Sequence, residues 1–405
     1  MAILGTWNVD RVTLNPKPNV ITFSRERGTS TEVVAFDASG RLWTAIRDHI
    51  SYRRGLDGKI VAKWTDRDGA KNRRWLSDGE ARALEQAARS LMIEFLDAYI
   101  NGQTRLDGMM TPDQLALFNQ IASFTPERYT ADIQRYHQVY SPVGILPPDQ
   151  YMALVLQATI GCSFNTCTFC DFYKDRPFRI KSLDEFKQHT ENVISFLDKG
   201  LSLRRTIFLG DANALVIPTP RLISMLEVIN EFVDVHSLGG IYGFLDGFSG
   251  EKKSVTDYRE LKTLGLERVY IGMESGHAPL LRELKKPGTP EDTLQAVRFL
   301  KEAGISVGVI ILLGAGGHKY AQGHIQDTIQ SLNAMHLDMD DIIYFSELIE
   351  NNDLQYTRKA FTDDLIPLTS KERIAQQVEI ESRLRFSQTG GTPHISRYDI
   401  REFVY

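Results

Sequence analysis

From residue 150 to about 350 the chain alternates short apolar runs with amphipathic stretches, six times over. No other feature of its 405 residues restricts the fold as much. Met152 to Leu156, Thr206 to Leu209, Ile241 to Leu245, Arg268 to Ile271, Ser306 to Leu313 and Asp341 to Phe345 read as strands. Between them, Ser182-x-x-Glu185 forms a capping box. Thr289-Pro290-Glu291-Asp292 caps a further helix, and Gly304 ends it. Ser306 to Leu313 is a continuous apolar run, as expected of a parallel strand buried on both faces. Such repeats build a parallel sheet with right-handed crossovers, open or closed into a barrel. Chemistry in these architectures gathers at the C-terminal ends of the strands. The residues just after each strand are therefore the ones to weigh.

The flanks follow other patterns. Up to about residue 75, β-rich segments (Val20 to Phe23, Glu32 to Phe36) alternate with turn signals at Ala38-Ser39-Gly40 and Leu56-Asp57-Gly58. Ser77-Asp78-Gly79-Glu80 opens a helix to about Ile100. Thr111-Pro112 and Thr125-Pro126 open two more, each with proline at the first helical position. Ser141-Pro142 and Pro147-Pro148 break the chain. Three regions are expected: an N-terminal α+β domain over 1–148, a strand–helix core over 149–350, and a C-terminal extension over 351–405 packing near the mouth of the core. The extension holds one helix, Lys371 to Leu384, and an aromatic, charged end. For His394, Arg397 and Tyr398 a plain surface tail is the simpler expectation.

A chain 42% hydrophobic and 24% charged is an ordinary globular protein, which excludes disordered and coiled-coil architectures. The longest apolar stretch, Val307 to Leu313, is too short to span a bilayer. Met1 to Asp10 lacks the basic stretch and apolar core of a signal peptide, so a cytoplasmic location is expected. The net charge of -5 excludes a globally basic nucleic-acid binder. Arg41 to Arg74 nevertheless carries ten Lys or Arg against four Asp, interleaved with Trp43, Tyr52, Trp64 and Trp75. A single-stranded nucleic-acid surface fits that composition. A small β domain with aromatics in its core and solvated arginines fits it better, because no nucleic-acid motif accompanies the charge.

The chain has three cysteines, Cys162, Cys167 and Cys170, all in the loop Gly161-Cys162-Ser163-Phe164-Asn165-Thr166-Cys167-Thr168-Phe169-Cys170 after the first core strand. An odd number packed this closely is no disulfide framework. A zinc site needs a fourth ligand, and neither a second CxxC nor an HxxxH pair supplies one. A cubane iron–sulfur cluster held by three thiolates leaves one iron open to a ligand that is not protein.

This loop, C-x4-C-x2-C, resembles the C-x3-C-x2-C loop of radical SAM enzymes, in which a [4Fe–4S] cluster cleaves S-adenosylmethionine (SAM). Val269-Tyr270-Ile271-Gly272-Met273-Glu274-Ser275-Gly276 is similar to the IGxESG segment of the branch holding methylthiotransferases, the elongator catalytic subunit and oxygen-independent coproporphyrinogen oxidases. Lys285-Lys286-Pro287-Gly288-Thr289, Ala303-Gly304-Ile305 and Gly308 to Gly314 continue the likeness, which covers about residues 150 to 350. It implies an α/β fold, a partial (β/α)6 TIM-like barrel. It implies that Cys162, Cys167 and Cys170 bind three irons and that SAM chelates the fourth. It places Phe169 near the adenine, and Gly210, Asp211 and Ala212 at the amino group. Glu274 falls at the ribose hydroxyls, Val309 to Leu313 along the adenine, and Arg282 at the carboxylate, with Lys285 or Lys286 as alternatives to it. It also implies an adenosyl radical that takes a hydrogen atom from substrate, and an electron donor such as flavodoxin or ferredoxin.

Without further cysteines, no auxiliary cluster is expected, and no Asp-x-His-x-x-Gly segment announces a cobalamin domain. After the cluster loop, Asp171, Tyr173, Lys174, Arg176 and Arg179 either line the pocket or pair on the surface. Asp171 and Tyr173, with Ser346 and Glu347 after the sixth strand, are the candidates for facing substrate. Asn213 and Asp246 end two other strands, where helix capping explains them equally well. Gly314 to Gly317 lacks the lysine of a phosphate loop. The leading expectation is a small-molecule substrate. Action on a tRNA or peptide is an alternative, as is a non-catalytic zinc or structural-cluster protein.

Overall fold

The structure is a computed structural model describing residues 2–246, 248, 252–351, 354–362, 365–386 and 390–405. It divides into two compact units. Met1–Pro142 forms the first together with Glu191–Arg205 and Glu402–Tyr405; Val143–Thr190 and Thr206–Arg401 form the second.

Among the described residues the first unit holds one antiparallel sheet of nine strands. Eight form a meander from Ile3–Trp7 to Lys71–Trp75, and Thr104–Leu106 pairs back onto the first. Turn chemistry sets this register. At Arg47-Asp48-His49-Ile50 both central residues have positive φ (51° and 64°), the twist that a two-residue hairpin demands. The helix Asp78–Ile100 starts in the expected capping box, Ser77 with Glu80, and Thr111 and Thr125 cap Pro112–Ser123 and Pro126–Val139. The core is aromatic: Phe95 lies 4.6 Å from Phe23 and 6.0 Å from Phe118, ring centre to ring centre.

The basic stretch is largely neutralised from within. Arg41 is buried, with two 2.8 Å bonds to the Asp132 carboxylate and further bonds to the carbonyls of Phe196 and Leu197. These bonds draw Glu191–Arg205 into the first unit, away from the core region to which the sequence pattern assigned it. Tyr405 joins the same unit by accepting from the backbone N–H of Leu56. Arg54 pairs with buried Glu85, and Arg74 with Glu80. The aromatics expected in the core are not fully buried: Trp43, Tyr52 and Trp64 are half-buried, and Trp75 is 46% exposed.

Among the described residues the main sheet of the second unit has seven strands in sequence order: β1 (Ala153–Gln157), β2 (Thr206–Gly210), β3 (Ile241–Phe244), β4 (Leu266–Glu274), β5 (Ser306–Leu313), β6 (Ile342–Glu347) and β7 (His394–Tyr398). Every neighbouring pair is parallel. The helices are α1 (Leu183–Leu197), α2 (Thr219–Phe232), α3 (Val255–Thr263), α4 (Ala278–Glu283), α5 (Pro290–Glu302), α6 (Gly317–Ala334), α7 (Gln355–Thr362) and α8 (Ser370–Ser382). The fold of the second unit is α/β, a partial barrel, and the first unit is α+β. The six expected strands are present, and the seventh, from the tail expected at the surface, pairs with β6 from Ile342↔His394 to Ser346↔Tyr398.

A polar plug fills the N-terminal end of this sheet. Asp149 accepts from the hydroxyls of Tyr270 and Tyr344 and pairs with Arg268. The ring of Tyr270 occupies the space that a side chain at Gly308 would need.

The Arg41–Asp132 pair gives a stability prediction. Asp132→Ala removes the two-bond carboxylate partner of the buried Arg41 guanidinium and leaves it Asp37 at 3.6 Å, which should lower the unfolding free energy by about 3 kcal/mol. The double variant Arg41→Met, Asp132→Ala should recover part of that loss. Urea unfolding of the full chain checks both. A single variant as stable as the wild type would show that the pair is dispensable.

Candidate active site

A cavity of about 370 Å³ opens at the C-terminal ends of the strands. All three cysteines line it, with Phe169, Asp171, Tyr173, Ala212, Glu274, Ser346 and Glu347. Ten of the residues singled out in the sequence therefore share one space.

Local backbone chemistry holds the cysteine loop. Gly161 has φ +76°, and a side chain there would crowd the Pro177 carbonyl. Asn165, also at positive φ, donates from Nδ2 to the Tyr173 carbonyl at 2.6 Å. The backbone N–H and hydroxyl of Thr168 both donate to the Leu284 carbonyl (2.9 and 3.1 Å), and the Thr166 hydroxyl donates to that of Lys285 (3.3 Å). The loop thus rests on the turn that precedes Lys286. From the β2 side, Asn213 Nδ2 donates to Ser163 Oγ at 2.8 Å and to Asp246 at 2.5 Å. Burial pushes the Cys170 thiol up to about 12, and burial also raises Cys167. Metal binding by thiolates would therefore release protons.

Glu274 ends β4 in an unusual conformation. The β4–β5 register slips between Gly272 and Glu274, a bulge that re-aims the strand end, and Glu274 itself has φ +61°. A non-glycine residue held in that region is strained, as ligand-facing residues often are. Its Oε1 lies 3.6 Å from Lys286 Nζ, and the two side chains are only 11% and 16% exposed. A side chain at Gly272 would lie 2.4 Å from Glu274 Oε1 and 3.3 Å from Lys286 Nζ, so glycine makes room for the pair. Burial raises Glu274 above the usual carboxylate range, and Lys286 opposes the shift. Lys286 rises despite burial, because Glu274, Cys167 and Asp246 surround it with negative charge.

Five expected site residues stand outside the cavity. Arg282 is exposed on α4; the helix ends soon after, and the turn brings Lys286 inward instead. Val309 and Leu313 are fully buried on the other face of β5, while Ile310 and Leu312 line the cavity. A strand apolar on both faces offers no pattern from which to choose between them. Asp211 turns back to the sheet, accepting from Gln157 Nε2 (2.9 Å) and the Gly161 N–H (3.2 Å). Burial raises its carboxyl to about 6 against those bonds. Gly210 packs against Val155 and Gln157 in β1. Phe164 and Phe248, 4.7 Å apart edge to face, and Tyr398 of β7 line the cavity without having been singled out for it.

Residues 156–332 match the family model of the Radical SAM superfamily. The chain is 22% identical over 174 residues to a curated protein, the heme chaperone HemW of Buchnera aphidicola subsp. Schizaphis graminum. The match covers 42% of this chain and 43% of that relative, so the chain spans under half of the relative's length. Among solved structures it is similar to coproporphyrinogen III oxidase (HemN) from Escherichia coli, a radical SAM enzyme (13% identity, TM-score 0.45, 62% of this chain and 55% of that one). It is also similar to methylornithine synthase, PylB (14%, TM-score 0.39, 60% and 70%). Among the described residues no helix is long and apolar enough to cross a membrane.

Behind Glu274, Ser275 is held by His324 of α6, whose Nδ1 lies 2.7 Å from the serine Oγ. Burial depresses this imidazole to about 4, and the charge of His277 lowers it further. A base weakened by folding contributes stability that is complete above its ordinary value of about 6.5 and is lost as pH falls through 4. The predicted loss between these limits is up to about 3 kcal/mol. His324→Gln should flatten that acid limb in urea midpoints measured from pH 7 to 4. Parallel curves for variant and wild type would remove His324 as its source.

Proposed function

We propose that the chain is a radical SAM enzyme acting on a small molecule. The observation that carries this reading is the convergence of three thiols and the Glu274–Lys286 pair on one cavity at the rim of the partial barrel. When bound, a [4Fe–4S] cluster and SAM supply reductive cleavage to a 5'-deoxyadenosyl radical, which abstracts a hydrogen atom from the substrate.

The chain's own residues have defined tasks in this reading. Cys162, Cys167 and Cys170, as thiolates, hold three irons and leave the fourth to SAM. A structural zinc normally takes four protein ligands and this loop offers three thiols, so the loop suits a cluster better than zinc. Lys286, rather than Arg282, offers the cation for the SAM carboxylate, and Glu274 accepts from the ribose hydroxyls. Phe169, Ile310 and Leu312 provide the apolar wall for the adenine. Phe164, Phe172, Phe244 and Phe248 keep water from the substrate side, where a radical would otherwise meet solvent.

Asp171 lies at the exposed edge of the cavity, and the buried Tyr173 forms part of its wall. These two and Ser346 and Glu347 are the proposed substrate-facing residues. The basic stretch of the first unit lends no support to a tRNA substrate, since Arg41, Arg54 and Arg74 are paired within that unit. A flavodoxin or ferredoxin would deliver the electron, in keeping with an intracellular enzyme.

Anaerobic reconstitution tests the reading. About four irons per chain, together with 5'-deoxyadenosine release from SAM under dithionite, are expected. Alanine at any one of the three cysteines should abolish both. Zinc in place of iron, or a cluster that never cleaves SAM, would overturn the proposal. Lys286→Met should keep the iron and raise the KM for SAM about tenfold, the loss of one charge-assisted bond. Lys286→Arg should restore part of it. An unchanged KM would take Lys286 out of the site.

A further inference from the structure

The C-terminal segment contributes more than an extra strand. β7 runs parallel to β6, and its last residue, Tyr398, is register-paired with Ser346. Both side chains line the cavity that holds the cysteines and Glu274. The phenol ring is fixed edge-on against Tyr344, with centroids 5.4 Å apart and planes at 78°, and the Tyr344 hydroxyl is anchored on Asp149 at 2.8 Å. The Tyr398 hydroxyl is hydrogen-bonded to the Ser346 side chain and lies close enough to feel the charge of Glu274.

Two hydroxyls therefore stand together in a cavity that Ile310, Leu312, Leu348 and Ile400 also line. A few polar groups converging in an apolar cavity are what orient a ligand. The charged groups nearby are already matched. Glu347 pairs with Arg373 at 3.4 Å and with Arg397, and Arg401 pairs with Asp399 at 2.6 Å. Ser346 is thus a side-chain partner of the phenol, and the negative charge of Glu274 acts on it from within the same cavity.

We propose that β7 completes the site and that Tyr398 is a ligand-contacting residue, donating a hydrogen bond to the ribose of the SAM whose hydroxyls Glu274 accepts, with Ser346 holding the phenol in place. This inference rests on the SAM-binding reading above and adds a residue from outside the six strands that the sequence pattern shows. No bond is made or broken at Tyr398; its part is to fix the sugar that carries the reacting 5' carbon.

The experiment is a binding measurement on the reconstituted full chain, using S-adenosylhomocysteine, which is not cleaved, as the calorimetric probe. Tyr398→Phe should raise its dissociation constant between about three- and tenfold, the worth of one neutral hydrogen bond, with iron content unchanged. Ser346→Ala should raise it about twofold, and the double variant should bind about as weakly as Tyr398→Phe alone, because the two hydroxyls act as one unit. A Tyr398→Phe protein with wild-type iron and wild-type affinity overturns the inference. If Tyr398→Phe loses the cluster, Ser346→Ala decides: weakened binding supports the inference, and unchanged binding overturns it. A wild-type protein that neither binds the probe nor releases 5'-deoxyadenosine defeats the underlying reading instead, and that outcome is distinct from the others.

Discussion

A carboxylate and an ammonium held 3.6 Å apart at the rim of a parallel sheet organise the second unit. Glu274 and Lys286 are the two ends of one excursion: β4 ends at the first, α4 intervenes, and the chain returns to the cavity at the second. Burying either charge alone would be costly, so the excursion must close. Several otherwise separate features follow from that closure. Gly272 must lack a side chain, because the pair fills its space. Glu274 must accept a left-handed backbone. The turn at Leu284 and Lys285 must present its carbonyls outward, where they anchor Thr168 and Thr166 of the cysteine loop. The loop is thus built against the returning chain, and its irregular spacing matters less than where that turn puts its carbonyls.

The same closure sets the electrostatics. Lys286 is a cation set among Glu274, Asp246 and two of the thiols, and each of those groups raises it. It stays protonated where burial alone would favour its neutral form. In the proposed cluster-binding state a fixed positive charge nearby would favour the thiolates, since burial drives Cys167 and Cys170 toward their protonated, non-ligating form. Asn213 plays the neutral counterpart, joining Ser163 of the loop to Asp246 at the end of β3. The loop is therefore held from the β2 side by amide chemistry and from the β4 side by backbone carbonyls.

Much of this is legible in sequence, for definite reasons. Six strands could be located because each is a short apolar run bounded by caps and glycines. The three cysteines stand out by their number and spacing, and Glu274 by the resemblance of its segment to IGxESG. What escapes is whatever depends on direction. Val309 and Leu313 are as apolar as Ile310 and Leu312, so only the register with β4 and β6 shows which pair faces the cavity. Arg282 and Lys286 are both cations after Glu274, and the end of α4 selects between them. Asp211 is polar at a strand end, yet the amide of Gln157 on β1, fifty-four positions earlier, turns it aside. In each case the competing positions carry the same chemistry, and packing alone separates them.

The tail is a different kind of failure. His394–Tyr398 is short, mixed in polarity and isolated from the strand–helix rhythm, so it has no local signature of a core strand. Its reason lies in β6. A sheet ending at β6 would leave that strand's outer backbone groups unpaired and its final residues, Ser346 and Glu347, open to water along one side. Pairing β7 onto β6 satisfies the backbone, brings Arg397 against Glu347, and sets a phenol beside Ser346. The need is created by one strand and met by another about fifty residues away, which is why composition and periodicity read along the chain do not reveal it. The rim that holds the three thiols and Glu274 gains a wall there, and the chain builds it from its own C-terminal segment.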